Sequence, residues 1–267
     1  MKKMSVIAVM ACCLLAPVAL HAQGTKNDVT HDLRGRLSIG FDKKISKGFH
    51  AFMEGEGRMK DNMGTFGRYD LTAGMSYKFN PYFKMAAGYT FINRKNSAAE
   101  WTIRHRVYTD LTGIYDLGGW RFSLRERLQF THKAYDFNPY QSPRNELALK
   151  SRVKVQYRGF IKLMPYAYYE MRNSFNDATA KATWLTLYSS YDDYEFTGYN
   201  DARINRYRGV LGLEWRLSQF HSLDFYGMMD YCRDKHLDVN KEGTKLKSLT
   251  YDRDYRWTLG IGYKFLF

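Results

Sequence analysis

Cysteine, proline, acidic residues and long apolar runs are all scarce in this chain. Of 267 residues, 3 are Cys and 5 are Pro. Cys12 and Cys13 lie in the first 22 residues, so Cys232 is the one cysteine of the remaining chain, and no intramolecular disulfide can hold it together. Beyond the N-terminal segment no stretch reaches 18 consecutive apolar residues, which excludes a helical membrane protein. Asp and Glu number 27 against 41 Lys and Arg, for a net charge of +14. Mean hydropathy is −0.53, so the average residue is polar. What is abundant is aromatic: 22 Tyr, 17 Phe and 5 Trp. That load excludes a disordered chain and favours strands, pointing to an all-β fold.

The first 22 residues read separately. Lys2 and Lys3 form a positive start, Val6 to Leu20 an apolar stretch, and Ala22 a small residue before a cleavage point at Gln23. This is the anatomy of a secretory signal peptide over 1–22. A lipoprotein site at Ala11-Cys12 is disfavoured because the residues after Cys12 stay apolar. Cleavage leaves 245 residues (23–267), with Lys and Arg falling from 41 to 39 against 27 acids.

The decisive periodicity is at the C-terminus. Tyr255, Trp257, Leu259, Ile261, Tyr263, Phe265 and Phe267 hold every odd position, with Arg256, Thr258, Gly260, Gly262, Lys264 and Leu266 between them. Strict period 2 with one bulky face is a strand. The alternation recurs from Leu33 to Phe41, through Tyr69–Phe79, Phe83–Phe91, Trp101–Leu117, Trp120–His132 and Leu147–Tyr157, to Tyr207–Leu217 and Leu223–Tyr231. Segments of about ten residues with one apolar and one polar face are the signature of a transmembrane barrel. A soluble sandwich fits less well, because its strands rarely split so cleanly into aromatic and cationic faces. The terminal aromatic strand resembles the assembly signal of Gram-negative outer-membrane barrels, which implies the barrel assembly machinery as a partner acting through Phe267. Short turns at 46–48, 80–82, 118–119, 158–159 and 218–222 alternate with longer polar stretches at 61–66, 93–100, 133–144, 173–203 and 233–250. That is the expected asymmetry of periplasmic turns and outer loops. The pattern yields eleven strands, whereas bacterial single-chain barrels have even numbers. The expectation is therefore an antiparallel up-and-down transmembrane β-barrel of about 12 strands, with 10 as the fallback, in contact with outer-membrane lipid.

Turn geometry then sets cross-strand partners. With Leu117 opposite Trp120, Asp110 faces Arg127 inside the barrel. The same reasoning sets Arg216 opposite Asp224 and Glu146 opposite Arg172, pairs each worth about 0.2–1 kcal/mol. Glu126 falls in the lipid-facing register between Leu124 and Leu128. A bulge after Arg125 would turn it inward; otherwise it is protonated or covered by a neighbour. Inward cations outnumber inward acids. Candidate ligand or pore-lining residues are Arg104, Arg106, Arg125, Arg127, Arg152, Lys154, Arg206 and Arg208, with Glu170 and Glu214. One reading is a charge ladder filling a closed barrel; the other is a lumen whose Arg and Lys favour small anions.

Enzyme chemistry finds little support. A lipid hydrolase needs an aimed Ser–His pair; His105 has no adjacent Ser, and His221-Ser222 lies in a turn. There is no HExxH, no P-loop and no Cys cluster, and His236 with Asp238 is too sparse for a metal. The expectation is a non-enzyme without metal or cofactor, and with no nucleic-acid partner. The stretch 174–203 carries Trp184, Tyr188, Tyr191 and Tyr194 beside acids. These could stack on a glycan or dock a partner, but a hairpin extending two strands above the membrane is favoured.

Several motifs follow in order: Arg104-His105-Arg106 before Tyr108-Thr109-Asp110, Phe122-Ser123-Leu124-Arg125-Glu126-Arg127, Leu149-Lys150-Ser151-Arg152-Val153-Lys154, Pro165-Tyr166 with Tyr169-Glu170, and Arg206-Tyr207-Arg208 with Leu213-Glu214-Trp215-Arg216. Together they resemble the domain-of-unknown-function 2490 family of Gram-negative outer-membrane β-barrel proteins, over nearly the whole mature chain. The resemblance implies fold and outer-membrane location and brings no activity with it. The place of Glu126 inside one motif favours the bulge.

Overall fold

A computed structural model describes residues 29–96, 98–185 and 190–267. The expected signal peptide and Tyr188 lie outside them. Eleven strands form one closed barrel: β1 (Val29–Ser46), β2 (Phe49–Lys60), β3 (Thr65–Lys78), β4 (Phe83–Lys95), β5 (Trp101–Leu117), β6 (Trp120–Lys133), β7 (Asn145–Tyr157), β8 (Leu163–Leu185), β9 (Ser190–Arg216), β10 (His221–Val239) and β11 (Leu246–Leu266). Sequence neighbours pair antiparallel throughout. The expected twelve strands are thus eleven, and the reason is geometric. In an up-and-down ring an odd count leaves the first and last strands running the same way. Here β1 and β11 pair parallel, from Val29↔Arg253 to Asp42↔Leu266, and close the wall.

The outer face is apolar and uncovered. Leu211 is 71% exposed and Met53 63%, positions that water would penalise and hydrocarbon would not. Rings mark the borders of this band. Tyr169, Tyr207, Tyr231, Tyr255 and His31 form a continuous row across five strands, with centroids 6.4, 6.2, 5.1 and 5.3 Å apart. At the short-turn end Trp120 meets Tyr157 and Phe41 meets Phe265. From Tyr255 to Tyr263 is eight residues, about 27 Å along a strand and roughly 20 Å along the axis at barrel tilt, a little under the apolar band of about 25 Å on transmembrane barrels.

Inward aromatics are seated on glycine. Phe52, Tyr108, Tyr166 and Tyr226 lie directly across from Gly74, Gly88, Gly212 and Gly260. A Cβ at Gly88 would meet the Tyr108 hydroxyl at 2.6 Å, and one at Gly212 would meet Tyr166 Cζ at 2.4 Å. The missing side chain lets each ring lie flat against the wall and leaves the axis to the charged side chains. Eleven strands at 4.8 Å spacing and about 40° tilt give a backbone diameter of about 22 Å.

The strands at 174–203 and 233–250 continue well past the band, so these stretches are hairpins rather than loops. Above the barrel Ala178, Leu237, Val239 and Leu246 form a small core with Tyr140, Tyr191, Tyr194 and Phe196 packed on it.

Candidate functional site in the lumen

Charged side chains line the inside, and the register decides which of them neutralise each other. Asp110 lies opposite Arg127 and takes a two-pronged bond, 2.6 Å from Nε and 2.7 Å from Nη2. Tyr108 covers the same guanidinium at 3.9 Å. Glu170, 2% exposed, accepts from Arg125 at 2.9 Å and from Arg152 at 2.9 and 2.7 Å, with Arg208 at 3.6 Å. Arg208 is held mainly by Asp230, at 2.6 and 2.9 Å. On the far wall Arg36, Glu56, Arg58, Asp70 and Arg68 form a continuous chain of ion pairs. Near the long-loop end Glu146 is shared by Lys133 at 2.9 Å and by Arg104 and Arg172 at 3.7 Å.

Of the sequence candidates, Arg125, Arg127, Arg152 and Arg208 are therefore neutralised in place. Arg104 also donates to Tyr135 Oη at 2.7 Å. Lys154 rests over the Tyr166 ring at 4.0 Å and makes no ion pair among the described residues. Glu214 accepts from Gln156 at 3.1 Å and sits opposite Asp224. Arg106 donates to Thr131 Oγ1 at 3.0 Å and has no carboxylate within 4 Å among the described residues. The side chain of Arg206 has neither hydrogen bond nor ion pair among the described residues.

Two residues outside that candidate set complete the picture. Lys150 stands directly between Arg127 and Arg172, and Arg172 stands directly opposite Arg206. Four adjacent strands thus present a row of four cations, Arg127, Lys150, Arg172 and Arg206. The side chain of Lys150, like that of Arg206, has no hydrogen bond or ion pair among the described residues. It feels Arg206, Arg106 and Arg127 against the carboxylate of Glu170. Arg106 reaches in from β5 and feels Arg172 on β8. Alternation gave the inward direction of Lys150 and Arg172; their alignment into one row appears only once four strands are in register.

Two expected pairs are corrected. Arg216 pairs with Ser222, and Asp224 with Glu214, because the turn closes two residues earlier, Leu217 N–H donating to His221 O at 3.0 Å. Glu146 is not opposite Arg172, which pairs with Lys150; the connection at 158–162 is longer than the expected turn from Tyr157 to Ile161, and Arg172 reaches Glu146 only diagonally. The expected bulge at Glu126 is absent. Its register with Leu111 and Ser151 is regular, it faces outward, and Ser151 Oγ donates to it at 2.6 Å.

The loop at 134–144 leans over the mouth. Tyr135 is bonded to inward Arg104, and Phe137 lies over Lys133 at 5.2 Å. Asn138 then donates to the carbonyls of Val239 and Asn240 at 2.8 and 3.1 Å, at the tip of the β10–β11 hairpin. Tyr199 Oη bonds Pro139 O at 2.8 Å. Of the aromatic candidates beside it, Tyr191 and Tyr194 pack on the small core, and Tyr191 meets Trp184 edge-on at 4.8 Å.

An apolar outer wall between aromatic borders, a charged interior, short turns at one end and long hairpins at the other define a β-barrel of the outer-membrane type. The family described as "Protein of unknown function (DUF2490)" matches residues 37–241, and the chain belongs to it. Among solved structures, "Outer-membrane expressed OmpT of Vibrio cholerae" is similar at 12% identity with a TM-score of 0.34, over 76% of this chain. This chain spans 60% of that protein's length. Comparison with curated proteins returns no match.

Proposed function

We propose that this barrel lies in a Gram-negative outer membrane, turns in the periplasm and hairpins outside, and takes small anionic solutes into its lumen. The carrying observation is the row Arg127, Lys150, Arg172 and Arg206, in which only Arg127 has a bidentate carboxylate partner among the described residues. Inward cations of this kind favour anions through their local field. The loop that leans over the mouth from β6–β7 to the β10–β11 tip favours a binding barrel or a restricted path over a wide channel. The reading involves no catalytic step and no cofactor. Its partners are membrane lipid along the outer wall and, during biogenesis, the assembly machinery acting on the last strand. The alternative, outer loops that bind a glycan through aromatics, is weaker, because Tyr191 and Tyr194 are used in the small core.

The test is reconstitution of the purified barrel in planar bilayers under a salt gradient, together with anion titration of the folded protein in detergent. Anion-selective conductance, or anion binding without conductance, is expected. Cation preference, or neither conductance nor anion binding, would overturn the reading.

A further inference from the structure

We infer that Lys150, Arg172 and Arg206, joined by Arg106 from β5 on the same side of the barrel, form a binding site for a phosphate-type oxyanion. The inference rests on the anion reading above and narrows it to one place and one chemistry.

The first argument is charge. The neighbouring carboxylates are committed elsewhere: Asp110 to Arg127, Asp230 to Arg208, and Glu170 Oε2 to Arg125 and Arg152. Glu146 is divided among three cations, of which Lys133 is nearest. Among the described residues no carboxylate pairs with Lys150 or Arg206. Like charges set directly across strands destabilise a sheet, so the row is unfavourable by itself and favourable around a multivalent anion.

The second argument is geometry. Lys150, Arg172 and Arg206 stand on three consecutive strands in direct register, about 10 Å from first to last. Guanidinium forks bind two oxygens of one group, and an ammonium adds a point charge. Phosphate has enough oxygens to meet two forks and an ammonium at once; a single carboxylate or a halide has not.

The third argument separates phosphate from sulfate. Glu170 Oε1 is buried and makes no hydrogen bond among the described residues, its one charged neighbour there being Arg208 Nη1 at 3.6 Å. Its carboxylate is the one whose field reaches Lys150 most strongly. A carboxylate oxygen there accepts from the P–OH of hydrogen phosphate, whereas sulfate at neutral pH has no proton to offer and is repelled.

The experiment is titration of the folded barrel in detergent with inorganic phosphate, by calorimetry and by thermal shift. Saturable binding is expected, with sulfate weaker by about tenfold or more. Lys150→Met and Arg206→Met should each weaken phosphate by about tenfold or more, the loss of one charge-assisted contact. Both should stay folded, since each relieves repulsion between neighbouring cations of the row; heat-dependent gel mobility checks this. Arg121→Gln, which breaks only the pair with Asp116 at the short-turn end, should leave binding unchanged. Absence of saturable binding, equal affinity in the Lys150 and Arg206 variants, or sulfate as tight as phosphate would overturn the assignment. Anion-selective conductance without phosphate binding would overturn this site and leave the anion barrel standing; phosphate binding without conductance would uphold the site.

Discussion

Glu170→Gln removes one negative charge from the most crowded part of the lumen. Among the described residues that carboxylate is the sole ion-pair partner of Arg125 and Arg152, while Arg208 keeps Asp230. The amide keeps the shape and can still accept a hydrogen bond, but two guanidiniums lose their counter-charge beside Lys150. Breaking a buried pair by removing one partner costs about 3–5 kcal/mol. With Glu170 only 2% exposed, the substitution belongs in that range rather than with surface pairs. The assay is equilibrium urea unfolding in lipid vesicles, followed by tryptophan fluorescence, with gel mobility to confirm folding. Lys150→Met placed in the Glu170→Gln background should recover about 1 kcal/mol or more, because it removes a cation that Glu170 had been offsetting. A cost below about 1 kcal/mol, with no recovery in the double variant, would refute the reasoning. It would mean that lumen water, not Glu170, solvates Arg125 and Arg152.

Gly212→Val places a Cβ 2.4 Å from Tyr166 Cζ and should displace a ring whose hydroxyl is held by Asp224 at 2.9 and 3.0 Å. The expected cost is about 1–3 kcal/mol. Gly209→Val on the same strand meets nothing within 4 Å and should change unfolding by less than about 0.5 kcal/mol; equal effects would reject the glycine seats. On the outer wall, Ser151→Ala strips Glu126 of its donor and should cost about 1–3 kcal/mol. Adding Glu126→Leu should restore native stability or exceed it, and a double variant no better than Ser151→Ala would show that Glu126 finds other solvation. Asn138→Ala combined with Gln141→Ala removes the four side-chain bonds from loop 134–144 to the β10–β11 tip. Proteolysis within 134–144 should accelerate, with global unfolding little changed; an unaltered cleavage rate would refute the cross-mouth tie.

The wall of this barrel is legible in the sequence because hydrocarbon outside and charge inside impose period 2 on every strand. The Asp110–Arg127 pair could be read as well, since the Gly118-Gly119 turn is tight enough to fix register, with Gly118 at φ 56. Where the connection is looser the register slips by whole residue pairs, as it does for Arg216 and Glu146. Closure is hidden for a different reason: local pattern orients a strand but does not say which strand it meets last, so an eleven-strand count looks like an error until the parallel pair is seen. The cation row is hidden in the same way. Lys150 and Arg172 read as two of many inward charges, and only the aligned register makes them neighbours. The glycine seats had a visible signal, an inward Gly on the strand beside an inward Tyr, as at Gly88 and Tyr108.

The parallel seam gives an otherwise uniform cylinder a weak line. Val29 and Arg253 are 224 positions apart, whereas Leu117 and Trp120 are separated by a single turn. Bringing such distant segments together costs roughly 4 kcal/mol more in chain entropy than closing a short hairpin. The slanted bonds of a parallel pair are also slightly less stable per residue. The β1–β11 joint is therefore the last to knit during folding and the first to part under strain. Amide exchange should be fastest along it, and a sideways opening of the wall toward the lipid would start there, far around the ring from the tightly turned β5–β6 pair.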